Sequence, residues 1–320
     1  MSTLLETKNL KKHFDVPNGK LHAVDNVSLK IEKGTTLGVV GESGCGKSTL
    51  GKLIMKLQQP TSGQILFDGT DIVPLTGKAF RSHRYQIQMI FQDPYATLDP
   101  RMSIAQLIAE PLEVSRIVQG KQAIDKRVDE LMELVGLAQR LKNSYPHELD
   151  GGRRQRIGIA RALAVNPQFI VCDEPVSALD VSIQAQVLNL LQDLQEQMGL
   201  TYMFITHDMS VVKHISDEIA VMYLGQVVEK CPAKELFTNT LHPYSQALLS
   251  AIPIPSIHVK RKKILLKGEL SSPINPKPCC RFAVRCPYAT DECFASEPEF
   301  REVSTGHYVA CHKAGRQETK

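Results

Sequence analysis

An apolar run at residues 35–40 stops at Gly41, and Gly41-Glu42-Ser43-Gly44-Cys45-Gly46-Lys47-Ser48 follows it directly. From Ser48 to Leu57, the residues Leu50, Leu53, Ile54 and Leu57 recur at helical spacing. A buried strand that turns through closely spaced glycines into a helix is a narrow structural option. Such a turn aims backbone N–H groups at one point, and the helix N-terminus adds partial positive charge there. The pattern is that of a phosphate-binding P-loop. Lys47 is placed to reach the β- and γ-phosphates of ATP and Ser48 to ligate Mg²⁺, within a nucleotide-contacting set of Gly41, Glu42, Ser43, Gly44, Cys45, Gly46, Lys47, Ser48 and Thr49. Cys45 stands at a variable position of the pattern and is given no redox role.

Three later apolar runs also end in polar residues. Ile87 to Phe91 leads to Gln92, Phe169 to Cys172 to Asp173 and Glu174, and Thr201 to Ile205 to His207. Asp173 at a strand end suits Mg²⁺ contact, directly or through a bound water, and Glu174 suits a general base for water. Residues 103–142, Arg154 to Val165 and Val181 to Met198 have helical spacing. The first thirty residues read as short strands, with turns at Gly19-Lys20 and Asn26. Strands alternating with helices predict an α/β fold with a mostly parallel sheet covered on both faces. The helical stretch at about 93–158 reads as an inserted subdomain.

Between Gln92 and Asp173 lies Leu149-Asp150-Gly151-Gly152-Arg153-Arg154-Gln155-Arg156, at the start of a helix. A Leu-x-Gly-Gly element between a P-loop and an Asp-Glu pair resembles the signature of ATP-binding-cassette (ABC) ATPases, usually Leu-Ser-Gly-Gly-Gln. The resemblance covers residues 14–207 in order. It implies that Gln92 is the Q-loop glutamine, touching Mg²⁺ and the attacking water. It implies that Ser177-Ala178-Leu179-Asp180 is the D-loop and His207 the switch histidine at the γ-phosphate. By the same resemblance Phe14 stacks on adenine, and Asp150, Gly151 and Gly152 face the γ-phosphate held by a partner's P-loop. The catalytic set so implied is Glu174, His207 and Gln92. Asp150 departs from the family's serine. It is a good helix N-cap, so the fold tolerates it, but a carboxylate facing a γ-phosphate sets like charge against like. The expectation is two unequal composite ATP sites, with Arg153 and Arg154 offsetting part of the repulsion.

Composition narrows the remaining classes. The net charge of +4 over 320 residues does not resemble the basic face of a nucleic-acid binder. No apolar run reaches the ~18 residues of a membrane span, and the first residues do not resemble a signal peptide. The expected location is the cytoplasmic face of the cell membrane, with other subunits supplying the membrane part. Soluble ABC ATPases that act on DNA or ribosomes carry long coiled coils or two cassettes, and this chain shows neither.

After Pro253 the texture changes. Five prolines (Pro253, Pro255, Pro273, Pro276, Pro278) and the run Lys260-Arg261-Lys262-Lys263, read as a solvated surface stretch, precede a crowd of cysteines. The boundaries expected are an ATPase domain at 1–252 and a C-terminal extension at 253–320. Cys280, Cys286, Cys293 and Cys311 leave gaps of five, six and seventeen residues, with Cys279 as the spare. In a cytosolic chain such crowding favours a metal over disulfides. Four thiolates can hold a [4Fe-4S] cluster or tetrahedral zinc, or remain reduced thiols, and spacing does not choose. The stretch from His242 to Pro253, Asp180 to Gln186, and the cysteine tail resemble ATP-binding subunits of the dipeptide/oligopeptide/nickel importers, most of all their second, F-type ATPase. That resemblance implies a [4Fe-4S] cluster. It also implies a related ATPase partner, two membrane permeases and an extracellular peptide-binding protein, with peptides favoured over nickel as cargo.

Overall fold

The structure is a computed structural model and describes residues 2–252, 263–266, 268 and 272–314. Pro253, Pro255 and Lys260-Arg261-Lys262 lie outside the described residues. In chain order the elements begin with strands β1 (Thr3–Val16), β2 (Gly19–Glu32) and β3 (Thr36–Val40), helix α1 (Lys47–Ile54), and strands β4 (Ser62–Phe67) and β5 (Thr70–Asp71). Then come α2 (Gly77–Gln86), β6 (Ile87–Ile90), α3 (Pro94–Thr97), α4 (Ile104–Ser115), α5 (Lys121–Leu134) and α6 (Gly151–Leu163). These are followed by β7 (Phe169–Asp173), α7 (Val181–Met198), β8 (Thr201–Thr206), α8 (Met209–Ile215), β9 (Glu218–Tyr223) and β10 (Gln226–Pro232). The chain closes with α9 (Ala233–Thr238), α10 (Pro243–Ser250), α11 (Asp291–Ala295), β11 (Phe300–Ser304) and β12 (His307–Ala310).

The chain divides into two compact units. One is built on Pro74–Phe204, and the other on Leu5–Ile31, Thr36–Val73 and the described residues from Ile205 onward. In the first unit β6 and β7 pair in parallel, with Ile87 opposite Phe169 and Ile90 opposite Cys172. All five residues of β7 are buried, as a strand covered on both faces requires. Helix α4 opens with a capping box, in which Ser103 and Gln106 satisfy each other's backbone N–H groups. Its buried stripe of Ile104, Leu107, Ile108 and Leu112 has the spacing that the sequence shows.

In the second unit β3 runs parallel to β9, with Val40 opposite Val221. From β9 outward the pairing is antiparallel, through β10 and β12 to β11. The sheets are therefore mixed. Parallel pairing occurs where helices cross over, and antiparallel pairing where a short turn reverses the chain or the C-terminal hairpin adds its edge. A separate sheet has the order β2-β1-β4-β5.

Three local expectations are overturned. The N-terminal strands are fourteen residues each, not short. Asn26 does not reverse the chain; it sits inside β2 at φ 57°, and Asn9 does the same in β1 at φ 48°. Asparagine tolerates the left-handed region, so one residue kinks a strand without ending it. Helix α1 stops at Ile54, short of Leu57, because Lys56 turns left-handed at φ 54° and leaves Leu57 57% exposed. Among the described residues no helix is long and apolar enough to cross a membrane.

Candidate functional site

The P-loop lies in the second unit, between β3 and α1. Gly46 sits at φ 104°, and a Cβ there would stand 2.0 Å from the Ala23 carbonyl oxygen, so only glycine fits. Ser43 and Gly44 are exposed at the tip, and Cys45 is buried beneath them. Burial raises the Cys45 thiol pKa, which keeps it protonated and unreactive. Lys47 is 4% exposed, and its ammonium donates to the carbonyls of Gly41 at 2.8 Å and Glu42 at 3.1 Å. It is thus held inside the loop, where a phosphate oxygen can replace a carbonyl as its partner. Ser48 and Thr49 are half-buried in the first turn of α1. The same unit holds Phe14, half-buried on β1 with the Lys12 ammonium 5.0 Å from its ring centre. It also holds His207, exposed between β8 and α8. Asp208, next to it, caps α8 by accepting from the Ser210 N–H at 2.7 Å.

The first unit holds the remaining site residues. Gln92 follows β6 and Glu174 follows β7, and the Gln92 amide donates to the Glu174 carboxylate at 3.1 Å. Glu174 adopts φ 46°, a costly left-handed backbone for a non-glycine. Its carbonyl accepts from the Ser177 N–H at 3.3 Å and hydroxyl at 3.1 Å, which closes the turn into Ser177–Asp180. Asp173 is the buried last residue of β7. Asp180 caps α7 by accepting from the Ile183 N–H at 3.0 Å.

Asp150 caps α6 as expected, accepting from the Arg153 N–H at 2.8 Å, and Arg153 also approaches the carboxylate at 3.2 Å. Arg154 does not share that task. Its guanidinium is buried and donates to the carbonyls of Pro146 at 2.6 Å and His147 at 3.3 Å, over the Tyr95 ring at 3.7 Å. Position explains the difference: the residue after Arg153 faces inward on the helix, while Arg153 stays beside the cap. Both glycines sit close to a neighbour, and Gly152 is needed for space. A Cβ on Gly151 would meet Leu179 at 3.0 Å, and one on Gly152 would meet Ile183 at 2.5 Å. The helix N-terminus therefore rests directly on the Ser177–Asp180 turn and the start of α7.

The four tail cysteines, Cys280, Cys286, Cys293 and Cys311, line one small cavity together with Phe282, His242 and His312. The Cys280 N–H donates to the Cys293 carbonyl at 3.0 Å. Burial pushes the Cys280 thiol pKa up to about 12 and raises that of Cys286, and the other cysteines add to both. Among the described residues the trio of metal-type ligand atoms within 4.8 Å of one another is His13, His22 and Asp25, so no three of these sulfurs are that close. A single tetrahedral zinc would draw its sulfurs to about 3.8 Å of each other, given Zn–S of ~2.3 Å. Four thiols at one cavity can serve a cluster or a single ion. The His13–His22–Asp25 trio is less suited to a metal, because Arg281 and Lys11 already pair with its carboxylate.

Arg281, Arg285 and Tyr244 take roles that no local spacing marks. Arg285 forks onto Glu42 of the P-loop at 2.7 and 3.1 Å, and Tyr244 accepts the Glu42 backbone N–H at 2.9 Å. Arg285 and Glu42 are 243 positions apart, so no local spacing could have paired them.

Residues 24–177 match the ABC transporter family model, and residues 228–293 match that of the oligopeptide/dipeptide transporter C-terminal region. The putative oligopeptide transport ATP-binding protein YkfD of Bacillus subtilis is 53% identical, over 99% of this chain and 97% of that protein. The oligopeptide transport ATP-binding protein OppF of Salmonella typhimurium is 53% identical, over 97% of this chain and 96% of its own length. Among solved structures, the ATP-binding cassette MJ0796 in a post-hydrolysis dimer with ADP and Pi is 31% identical. It covers 72% of this chain and 99% of its own, with a TM-score of 0.66. With a P-loop, an Asp-Glu strand end and a capped Leu-x-Gly-Gly helix in place, this chain belongs to the ATP-hydrolysing subunits of ABC transporters, in the oligopeptide-transport branch.

Proposed function

We propose that this chain is the ATP-hydrolysing motor, of F type, in a membrane importer for di- and oligopeptides. The observation that carries the reading is the likeness to oligopeptide transport ATP-binding proteins along nearly the whole chain, including the C-terminal region. Residues 1–252 would form the ATPase domain, and 253–320 an extension. The chain would sit at the cytoplasmic face, against two permeases served by an extracellular peptide-binding protein, and pair with a second, related ATPase.

In this reading Gly41–Thr49 cradles the phosphates, Lys47 binds the β- and γ-phosphate oxygens, and Phe14 stacks on adenine. Ser48, Gln92 and Asp173 would hold Mg²⁺, which shields phosphate charge when bound. Glu174 orients the attacking water and accepts its proton, and Gln92 fixes the carboxylate while it does so. His207 hydrogen-bonds the γ-phosphate. Asp150, Gly151 and Gly152 face the ATP held by the partner's P-loop. The Asp150 carboxylate disfavours phosphate there, so this chain's own P-loop, Glu174 and His207 serve the faster of two unequal sites. Cys280, Cys286, Cys293 and Cys311 would hold a [4Fe-4S] cluster, with zinc as the alternative, and tie together the segment that carries them.

The decisive experiment reconstitutes the chain with its permeases, partner ATPase and binding protein in vesicles loaded with ATP. Uptake of labelled di- to pentapeptides is expected, with none for Glu174→Gln. Nickel uptake without peptide uptake would reassign the cargo. Failure to co-purify with any membrane subunit would remove the importer reading.

A further inference from the structure

The cysteine segment reaches the P-loop through the arginines beside its first two cysteines. Arg281 follows Cys280, and Arg285 precedes Cys286. Arg285 forks onto the Glu42 carboxylate at 2.7 and 3.1 Å, its side chain 10% exposed and that of Glu42 29%. Beneath this pair Tyr223, Tyr244 and Phe282 pack ring to ring, with centroids 4.7 to 5.5 Å apart. Phe282 lies between the two arginines in sequence and is buried in the same core as Val40, the last residue of β3. Arg281 donates to the Leu224 carbonyl and to the Asp25 carboxylate. The next residue, Gly225, donates its N–H to the Cys45 carbonyl at 2.8 Å. The segment thus grips the loop at its entry, residue 42, directly, and at its far side, residue 45, through one intermediate strand end.

Charge gives this grip a consequence. Glu42 puts a carboxylate one residue into a loop that receives phosphate, and like charges in a partly buried site repel strongly. A bidentate guanidinium neutralises that carboxylate and fixes its direction. Without it, a half-buried anion is left unpaired beside the nucleotide site.

We infer that Arg285 is a positioning residue for the nucleotide: it neutralises and turns aside Glu42, and so makes ATP affinity depend on the four-cysteine segment that carries it. The inference rests on the reading of residues 41–48 as the nucleotide loop. The test measures the Kd of a fluorescent ATP analogue for the purified full-length chain, with circular dichroism and bound-metal content recorded for each variant. Arg285→Ala should weaken binding roughly tenfold, a step of about 1.4 kcal/mol, and Arg285→Lys by less. Arg285→Ala combined with Glu42→Gln should recover most of the loss, because the unpaired charge is gone. Cys286→Ser should weaken binding in the same direction as Arg285→Ala. Wild-type affinity in Arg285→Ala, or a double variant as weak as Arg285→Ala alone, overturns the inference. Lys47→Ala separates the two levels: if it binds the analogue as wild type does, the loop reading itself fails.

Discussion

Gln92 and Glu174 meet at 3.1 Å because their strands are in register. Ile90 lies opposite Cys172 in the parallel β6–β7 pair, and each side chain projects two residues beyond that pair, off the same sheet edge. The amide therefore holds the carboxylate from which water would be activated. Glu174→Gln should bind ATP as wild type does and lose hydrolysis by roughly 10²- to 10⁴-fold. Gln92→Ala, which removes the amide from the carboxylate without removing the carboxylate, should lose less hydrolysis, about tenfold. Steady-state phosphate release and equilibrium nucleotide binding measure the two separately. A Gln92→Ala defect equal to that of Glu174→Gln would contradict a supporting role.

Asp150 both caps α6 and presents a carboxylate where the family has a serine hydroxyl. Serine caps almost as well, so Asp150→Ser should shift the thermal midpoint little, whereas Asp150→Ala should cost about 1 kcal/mol. In the assembled complex Asp150→Ser should raise ATP turnover, because the second site gains a phosphate partner without the repulsion. Unchanged turnover in Asp150→Ser, together with unchanged turnover in Glu174→Gln, would end the idea of two unequal sites.

Much of the site was legible because the chemistry is local. A P-loop, an Asp-Glu strand end and a capped glycine pair each fit within eight residues, and the helix at Val181–Met198 has the bounds its periodicity gives. Distant pairings were not legible. Arg154 stands beside Arg153 in the signature, yet it turns inward to backbone carbonyls, and only the folded helix decides which arginine faces Asp150. Asn26 reads locally as a turn and proves to be a kink in a long strand. The fork between Arg285 and Glu42 joins two ends of the chain through charge and burial, and neither end carries a mark of the other.

Gly152 is required by its neighbour and not by its backbone angle. A Cβ there would stand 2.5 Å from Ile183 Cγ2, and a β-branched side chain has little rotamer freedom to withdraw. Gly152→Ala should cost about 1 to 3 kcal/mol in chemical denaturation, the range for overpacking. Ile183→Ala in the same chain should return part of that loss by opening the space. If the double variant is no more stable than Gly152→Ala alone, the clash is not the cause.

The four tail cysteines line one cavity. Purification without oxygen should give a brown protein whose visible absorbance disappears in Cys280→Ser or Cys293→Ser. Those variants should also become sensitive to proteolysis after residue 252, as the tail loses its tie. A colourless protein with one zinc per chain would assign zinc instead. Absence of both metals would leave reduced thiols.

His242 gives the fold an acid-sensitive point. It is fully buried, and its Nδ1 accepts from the Tyr244 N–H at 3.1 Å, which caps α10 and requires a neutral ring nitrogen. Burial lowers its pKa from 6.5 to about 4, against the opposing pull of Glu229. The lowered value fixes the sign. Above pH 6.5 the histidine is neutral in both states, and its contribution is fully present. Between that pH and about 4 the unfolded chain takes up a proton that the folded chain refuses, so stability falls as pH falls, by up to roughly 3 kcal/mol. His242→Asn keeps an oxygen to accept from Tyr244 and removes the titration. Thermal unfolding across pH 4 to 7 should show a shallower decline in the variant than in the parent chain, and parallel curves would show that this histidine is not the acid-sensitive group.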